Sequence, residues 1–217
     1  MRSRRPYHHG DLRQALLRAA TDIVAEVGPR GFTLREVARR AGVSHNAPYR
    51  HFRDKEELVA AVAAEGFREL TQAMLDAAAS QPTALDRLRR SGLAYVAFAL
   101  RRPEHFTVMF DTPVSKADYP ECTEAANEAF GTLVRFIEAC QRDGPLPPGD
   151  TLQRALAAWS LVHGIAKLAV AKRLPFRSRA AVLHFAESTI GGSLSVIAWG
   201  DRDGVTANAE RPRSSGR

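Results

Sequence analysis

A short polar segment with the sequence SHNAPYRHF, residues 44–52, contains side chains that are suited to contact with DNA. His45 and Asn46 carry hydrogen-bond donors and acceptors that match the edges of bases in the major groove. Ser44 is a good N-cap residue, so a helix is expected over residues 45–52 with these two side chains in its first turn. Because the N-terminal end of a helix is positive, the same turn would also attract phosphate.

The second half of this segment is aromatic and basic. Tyr49, Arg50 and His51 can donate hydrogen bonds to phosphate oxygens, and such contacts fix the position of a protein on a duplex. Pro48 has no backbone N–H and crowds the preceding turn, so a distorted or slightly 3₁₀ turn is expected there. An ordinary helical hairpin with a solvated face is an alternative interpretation of the same pattern.

A preceding helix must position the segment. Thr33 and Glu36 have the spacing of a capping box, which predicts a helix that begins at Leu34. Gly42 is expected to end this helix in the left-handed conformation. Arg35 lies away from the apolar face of the helix and is a further candidate for contact with DNA. The apolar face consists of Leu34, Val37, Ala38 and Ala41.

The net charge of the chain is concentrated at this end. Residues 1–55 carry twelve Lys and Arg and five Asp and Glu, a net charge of +7, whereas the remaining residues carry nineteen of each sign. Neutralisation of phosphates requires such segregation, and a general solubility charge does not. Arg4 and Arg5 belong to residues 1–9, predicted to be a flexible basic arm that lies in a minor groove or along phosphates. An ordinary disordered terminus is the alternative.

Three segments together resemble the N-terminal DNA-binding domain of the TetR family of bacterial transcriptional regulators. They are a leading helix over residues 11–27, TLREVARRAGVS from Thr33, and PYRHFRDKEEL from Pro48. The resemblance implies an all-α protein with an N-terminal three-helix DNA-binding domain that contains a helix-turn-helix. It also implies a larger C-terminal helical domain that dimerises and binds a small molecule. The WSLVHG segment, residues 159–164, further resembles the WHG-type C-terminal domain of one branch of the family.

The resemblance also implies which residues lie on or beside the DNA-facing helix. Thr33 and Lys55 match positions that commonly approach phosphates. The family often has Gly or Thr and then Leu or Ile where this chain has Ala47 and Pro48, so base preference is not transferred. The residues implied for the DNA-facing helix are Ser44, His45, Asn46, Ala47, Tyr49, Arg50 and His51.

Helical periodicity continues through most of the chain, and no strand-like alternation of useful length competes with it. Residues 10–56 are predicted to form the helix-turn-helix domain, and residues 57–200 a helical regulatory and dimerisation domain. Residues 201–217 lack apolar periodicity and are predicted to be a disordered tail. A long helix that begins after Asp54 links the two domains, either as a lever or simply as a spine.

The last two long helices, about residues 151–172 and 178–199, are richer in small and apolar residues than a solvated surface requires. One side of each is expected to face the subunit core and the other side a second subunit, which predicts a homodimer. Two recognition helices related by a two-fold axis would enter successive major grooves about 34 Å apart. The predicted operator is therefore an inverted repeat in double-stranded DNA.

Aromatic and apolar residues of the C-terminal part could line a ligand cavity, in which Tyr95 or His163 would supply a polar contact. Family members typically have such a cavity, and the aromatic content favours a hydrophobic or aromatic small molecule as the effector. Each of these residues is individually more typical of a core than of a ligand contact. The candidates are Tyr95, Phe98, Phe106, Met109, Phe110, Phe130, Phe136, Trp159 and His163.

Several other classes of protein are excluded. The chain has no GxSxG, GxxxxGK, GxGxxG or HExxH motif, so no enzyme activity, cofactor or metal site is predicted. Apolar spans long enough for a membrane helix are missing, and no apolar stretch follows the N-terminal arginines, so a cytoplasmic protein without membrane contact is expected. Cys122 and Cys140 lack metal-ligand spacing and are expected to remain reduced.

The predicted function is a sequence-specific DNA-binding transcriptional regulator, specifically a homodimeric repressor that a small-molecule effector releases. Repression is the commoner mode among similar proteins. The alternative is a DNA-compacting or architectural protein whose C-terminal domain only dimerises. A salt titration with competitor DNA separates the two, because binding through phosphates alone weakens steeply with salt and shows no preference among sequences.

Overall fold

The computed structural model describes residues 9–111 and 118–199. These residues form eight α-helices and one short 3₁₀ helix, with no β-strand among them, which confirms the predicted all-α class. Arg4 and Arg5 of the predicted arm and the whole predicted tail lie outside the described residues. The α-helices are α1 (His9–Val27), α2 (Leu34–Arg40), α3 (Lys55–Ala79), α4 (Ala84–Arg101), α5 (Pro103–Asp111), α6 (Pro120–Arg142), α7 (Thr151–Val170) and α8 (Arg179–Trp199).

Helix α2 has the ends that its sequence predicts. The Thr33 hydroxyl accepts a hydrogen bond from the backbone N–H of Glu36 at 3.3 Å, and the Glu36 carboxylate accepts one from the backbone N–H of Thr33 at 2.8 Å. These two bonds complete the capping box. Gly42 has a φ of +70°, and the N–H of Val43 donates to the carbonyl of Ala38 at 3.0 Å. The helix therefore ends in a Schellman motif, which requires a left-handed residue at the glycine.

Helix α3 is the central helix, and it packs against α1, α4, α5 and α6. Its N-terminus is fixed by Asp54, whose carboxylate accepts a hydrogen bond from the backbone N–H of Glu57 at 2.7 Å. At Gly66 the missing side chain allows close approach of α5, because a Cβ there would lie 2.6 Å from the sulfur of Met109. Helix α3, which follows the N-terminal unit formed by α1, α2 and the polar segment, is thus in direct contact with α5.

Helices α4, α5 and α6 connect the C-terminal part of the molecule to the N-terminal unit. Helix α4 packs against α3 and against the pair α7 and α8, while α5 packs against α3 and α1. Glu121, at the start of α6, binds Arg68 of α3 at 2.8 Å and lies 3.6 Å from Arg13 of α1. The N-terminal unit therefore contacts both α5 and α6. Within the described part of the chain, no helix is both long enough and apolar enough to cross a membrane.

Candidate nucleic-acid interface and cavity

Buried residues hold the polar segment that follows α2. Ala47, Pro48 and Phe52 are buried beneath the segment. The guanidinium group of Arg13 on α1 lies 5.6 Å from the centre of the Phe52 ring. A cation at this distance from an aromatic face adds to the packing of the ring. The first helix therefore supports the segment directly.

The predicted α-helix over residues 45–52 is absent. Only Pro48–Arg50 is helical, and it is a 3₁₀ helix. The N–H of Ala47 donates to the carbonyl of Ser44, three residues back, at 2.9 Å. Pro48 has no N–H and cannot form the α-helical bond to Ser44 four residues back, so the tighter turn persists. The distortion expected at the proline thus extends over the whole segment.

Most of the predicted DNA-contacting side chains lie on the surface. His51 and Lys55 are half-buried. Ala47 is only 9% exposed, so its prediction as a DNA-facing side chain is wrong. The tight turn places its methyl group on the buried side of the segment. The exposed residues are Thr33, Arg35, Ser44, His45, Asn46, Tyr49 and Arg50.

The arginines of this end differ in their availability to a ligand. Arg35 and Arg50 are exposed and form no ion pair with another residue that the structure describes. Arg40, in contrast, donates two hydrogen bonds of 2.8 and 2.5 Å to the carboxylate of Glu26 on α1. This contact lowers the pKa of the Glu26 carboxyl and holds α2 against α1. Arg35 and Arg50 are therefore available to meet phosphate, whereas Arg40 is not.

Lys55 already has partners within the protein. Its Nζ donates to the backbone carbonyl of Arg30 at 3.0 Å and lies 4.7 Å from the centre of the Phe32 ring. The Thr33 hydroxyl likewise donates to the Glu36 carboxylate at 3.0 Å. A phosphate at either position would have to share these groups, so both residues also serve the local structure.

A cavity of about 360 Å³ lies within the C-terminal helices. Its lining comes from helices α3 to α8, and it is mainly apolar. No Asp, Glu, Lys or Arg occurs among the described residues that line it. Polar atoms are contributed by Ser91, Asn127 and Ser193 and by two of the predicted aromatic residues. The predicted pocket residues that line the cavity are Tyr95, Met109, Phe110, Phe130 and Trp159.

Four other predicted pocket residues, Phe98, Phe106, Phe136 and His163, do not line the cavity. Phe98 and Phe106 belong to the buried core, Phe136 packs against that core, and His163 contacts the lining residue Tyr95. Phe98 and Phe106 are fully buried. Phe106 packs edge-on against Tyr95, with the ring centres 6.0 Å apart. Phe106 and His163 therefore support the lining residues Tyr95 and Phe110.

A chain of hydrogen bonds joins three aromatic residues at the wall. The indole N–H of Trp159 donates to the Tyr95 oxygen at 3.3 Å. The Tyr95 hydroxyl also lies 2.8 Å from Nδ1 of His163 and forms a hydrogen bond with it. Burial raises the pKa of Tyr95, while burial first and the charge of Lys167 second lower the pKa of His163.

Sequence reasoning missed the wall residues of α3 and α8. Phe67 and Met74 on α3 and Ile190 on α8 line the cavity. Their apolar periodicity is the same for a core position and for a cavity wall, so spacing alone does not separate the two. Small residues among large apolar ones are the sequence signal that could have indicated a cavity wall, since Gly92 and Ala158 also line the cavity.

Two family models match successive parts of the chain. The model described as bacterial regulatory proteins, tetR family, matches residues 16–62. The model described as tetracyclin repressor-like, C-terminal domain, matches residues 88–190.

A curated HTH-type transcriptional repressor of Mycobacterium tuberculosis is 41% identical over 61 residues, which are 28% of this chain and 32% of the repressor. The chain thus spans about a third of the length of that relative. A protein of unknown function from Rhodococcus sp. RHA1 is 34% identical with a TM-score of 0.75, covering 90% of this chain and 100% of its own. A regulatory protein in the tetR family from Rhodococcus RHA1 shares the fold at 23% identity, with a TM-score of 0.70 and coverage of 86% and 97%.

The Schellman end of α2, the exposed polar segment after it and the basic N-terminal part define a helix-turn-helix protein. The two family models match its two parts in order along the chain. The chain belongs to the TetR family of bacterial transcriptional regulators. The resemblance predicted from its N-terminal segments is confirmed, whereas the resemblance of residues 159–164 to the WHG type stays a prediction.

Proposed function

We propose that this chain is a homodimeric repressor, which binds an inverted-repeat operator and leaves it when a small hydrophobic or aromatic effector enters the cavity. The exposed side chains of residues 44–50, held on a buried frame within the basic part of the chain, carry this proposal. Polar side chains on a rigid support can form hydrogen bonds with base edges, and basic side chains on the same support can bind phosphates.

The DNA-binding roles divide between two groups of residues. His45 and Asn46, in the turn before the 3₁₀ helix, contact base edges. Arg35, Tyr49 and Arg50 bind phosphates on either side. Ser44, Thr33, His51 and Lys55 complete the interface at its margin, and Arg4 and Arg5 contribute from the N-terminal arm.

The domain boundary that we propose lies near the start of α3. Residues 10–56 form the DNA-binding unit, and residues 57–200 form the regulatory unit. Helix α3 begins at Lys55 and therefore belongs to both. The hydrogen bond from Lys55 to Arg30 and the burial of α3 from Leu58 onward make this helix the structural link between the two units.

The proposed dimer forms through α7 and α8. Leu152, Leu156 and Leu168 on α7 are 55%, 44% and 47% exposed. Leu152 and Leu156 are four residues apart and so share one outward face of the helix, and Leu168 adds exposed apolar surface toward its C-terminal end. A second subunit that covers this face would remove their side chains from water, which is the main favourable term in protein association.

The effector that fits the cavity is uncharged. A carboxylate or a phosphate there would lack a cationic partner among the lining residues, and burial of an unpaired charge is costly. The Tyr95 hydroxyl already has two hydrogen-bond partners, Trp159 and His163. Asn127 forms no side-chain hydrogen bond with another described residue, so its amide is the available polar contact.

The contacts of α5 suggest how the effector releases DNA. Met109 and Phe110 line the cavity and belong to α5, which packs against α1 and touches α3 at Gly66. An effector that displaces these side chains would shift α5 against both helices and so change the spacing of the two DNA-binding units.

Selection of fragments from the source genome with the purified protein tests this function. We expect enrichment of an inverted repeat, whose binding survives an excess of random competitor DNA and weakens when a neutral apolar effector is added. Equal binding of all fragments at every salt concentration would instead identify an architectural DNA-binding protein.

A further inference from the structure

The loop between α7 and α8 carries a second concentration of positive charge. No Asp or Glu occurs from Thr151 to Ala186, whereas this stretch contains six Lys and Arg. The overall balance of charge in the C-terminal part conceals this local excess. Most of it is concentrated around one loop, in Lys172, Arg173, Arg177 and Arg179.

The loop has a defined backbone and exposed cations. Lys172 has a φ of +54°, and the N–H of Arg173 donates to the carbonyl of Leu168 at 2.8 Å, so α7 ends in a helix-closing turn of the kind seen after α2. Phe176 packs against Phe185 of α8, with ring centres 5.2 Å apart. The basic side chains are thus presented on an ordered turn.

These cations do not serve the stability of the helices alone. Lys172 and Arg173 lie at the C-terminal end of α7, where positive charge is favourable. Arg177 and Arg179 lie at the N-terminal end of α8, where positive charge is unfavourable and the first turn has no acidic residue to offset it. Lys172, Arg173 and Arg177 also form no ion pair among the residues that the structure describes. Such an arrangement is expected of a surface that binds an external anion.

The loop lies at the end of the regulatory domain that is nearest the DNA-binding unit. Arg179 donates to the carbonyl of Ala97, one turn before the end of α4, at 3.2 Å. Lys167, in the last turn of α7, pairs with Asp111, the last residue of α5. Helix α5 in turn packs against α1 of the DNA-binding unit. The basic loop is therefore connected through α5 to the side of the regulatory domain that contacts the DNA-binding unit.

We propose that the α7–α8 loop is a second phosphate-binding surface, which contacts the DNA backbone at the centre of the operator. This inference rests on the proposed homodimer, because α7 and α8 then form the interface and place both copies of the loop beside the two-fold axis. The ligand of this surface is the sugar–phosphate backbone, because positive charge is the only property that the four basic side chains of the loop share. The loop adds affinity but no base preference.

The salt dependence of DNA binding tests this proposal. The loop variant is the triple change Lys172→Gln, Arg173→Gln and Arg177→Gln. Arg179 is left intact because it binds the Ala97 carbonyl. Each lost phosphate contact lowers the slope of log affinity against log salt by about one, so we expect a decrease of at least about two per dimer.

A second triple change of equal charge serves as the control: Arg89→Gln, Arg135→Gln and Arg142→Gln. These residues are exposed, on α4 and α6, and outside the loop. Equal slopes and affinities for the two triple variants would overturn the proposal. A third variant, Lys172→Arg with Arg173→Lys and Arg177→Lys, keeps the charge and should bind as the unaltered protein does.

Interference by phosphate ethylation locates the contact. Ethylation at the operator centre should weaken binding of the unaltered protein and leave binding of the loop variant unchanged. No interference at the centre with the unaltered protein would overturn the loop's placement. Failure of the proposed function gives a different result, because the unaltered protein would then show no preference for any operator over random DNA.

Discussion

The Tyr95 hydroxyl and Nδ1 of His163 form a hydrogen bond of 2.8 Å between α4 and α7, at the wall of the cavity. Nδ1 can accept from the hydroxyl or donate to it, depending on the tautomer of the imidazole. Burial and the nearby ammonium of Lys167 lower the pKa of His163, whereas Asp111 opposes them. Protonation of His163 would place a charge behind an apolar wall.

His163 should make the folded protein less stable in mild acid. Because its pKa in the folded state lies below the ordinary value of 6.5, the unfolded chain takes up the proton first as the pH falls. The stability that neutral His163 contributes is fully present above pH 6.5, and it is lost as the pH falls from 6.5 through the pKa of the folded state. The variant His163→Asn keeps an acceptor near the Nδ1 position but does not titrate. Its melting temperature should fall less between neutral pH and mild acid; an identical fall would exclude His163 as the cause.

The cavity should bind N-phenyl-1-naphthylamine, a neutral aromatic fluorophore. Ala126→Phe would fill part of the lining and weaken this binding by roughly tenfold or more, a difference of about 1.4 kcal/mol. Glu138→Phe, at an exposed position on the same helix, is the control and should change nothing. A dodecanoate anion should compete poorly, because the lining offers it no cation; strong competition would contradict the uncharged effector.

Tyr49 and Arg50 should be needed for binding to the operator but not for folding. Tyr49 is 55% exposed, so its replacement by Ala removes little packing. Tyr49→Ala or Arg50→Ala should weaken operator binding by roughly 5- to 100-fold, as measured by fluorescence anisotropy. Asn46→Ala should instead reduce the preference for operator over random DNA. Parallel losses on both DNAs would argue against contact between Asn46 and a base.

Leu156 should stabilise the dimer. Leu156→Glu places a charge on the outward face of α7, and we expect a monomeric mass by light scattering at micromolar concentration together with loss of operator binding. Leu75→Glu is the matched control, because Leu75 is 40% exposed on α3, outside the proposed interface. If both variants remain dimeric, α7 does not form the interface.

Two glycines should respond oppositely to replacement by alanine. Gly42→Ala meets no atom within 4 Å, but its φ of +70° makes a side chain strained, so a loss of about 1 kcal/mol of stability is expected. Gly131→Ala lies inside α6, where its Cβ meets only the end of Arg135 at 3.6 Å. It should raise stability by about 0.5 to 1 kcal/mol. Urea denaturation measures both; similar changes would contradict the left-handed conformation as the cause.

Local sequence rules predicted the ends of α2 and α3 well. The capping box of Thr33 and Glu36 and the cap at Asp54 depend on side chains within three residues of the atoms they bind. Such contacts are fixed by spacing alone. Pro48 was likewise predicted to distort its turn, whereas the burial of its neighbour Ala47 depends on tertiary packing, which no local rule gives.

The cavity was predictable only in part, because its wall is set by contacts between helices. Phe106 and Phe110 are four residues apart on α5, yet only Phe110 lines the cavity. Helical spacing places both on one face, and the position of α7 decides which of them meets empty space. The basic loop was missed for another reason. Its charge is cancelled by acidic residues elsewhere when the C-terminal part is counted as a whole.

Pro48 has a thermodynamic consequence for association with DNA. The ring fixes one backbone angle, and buried Ala47 and Phe52 fix the turn on both sides of it before any ligand arrives. The conformational entropy of this segment is therefore lost when the protein folds and not when it binds. Docking of the preformed turn should bury little additional apolar surface, and its heat-capacity change should be smaller than that of a segment that folds on DNA.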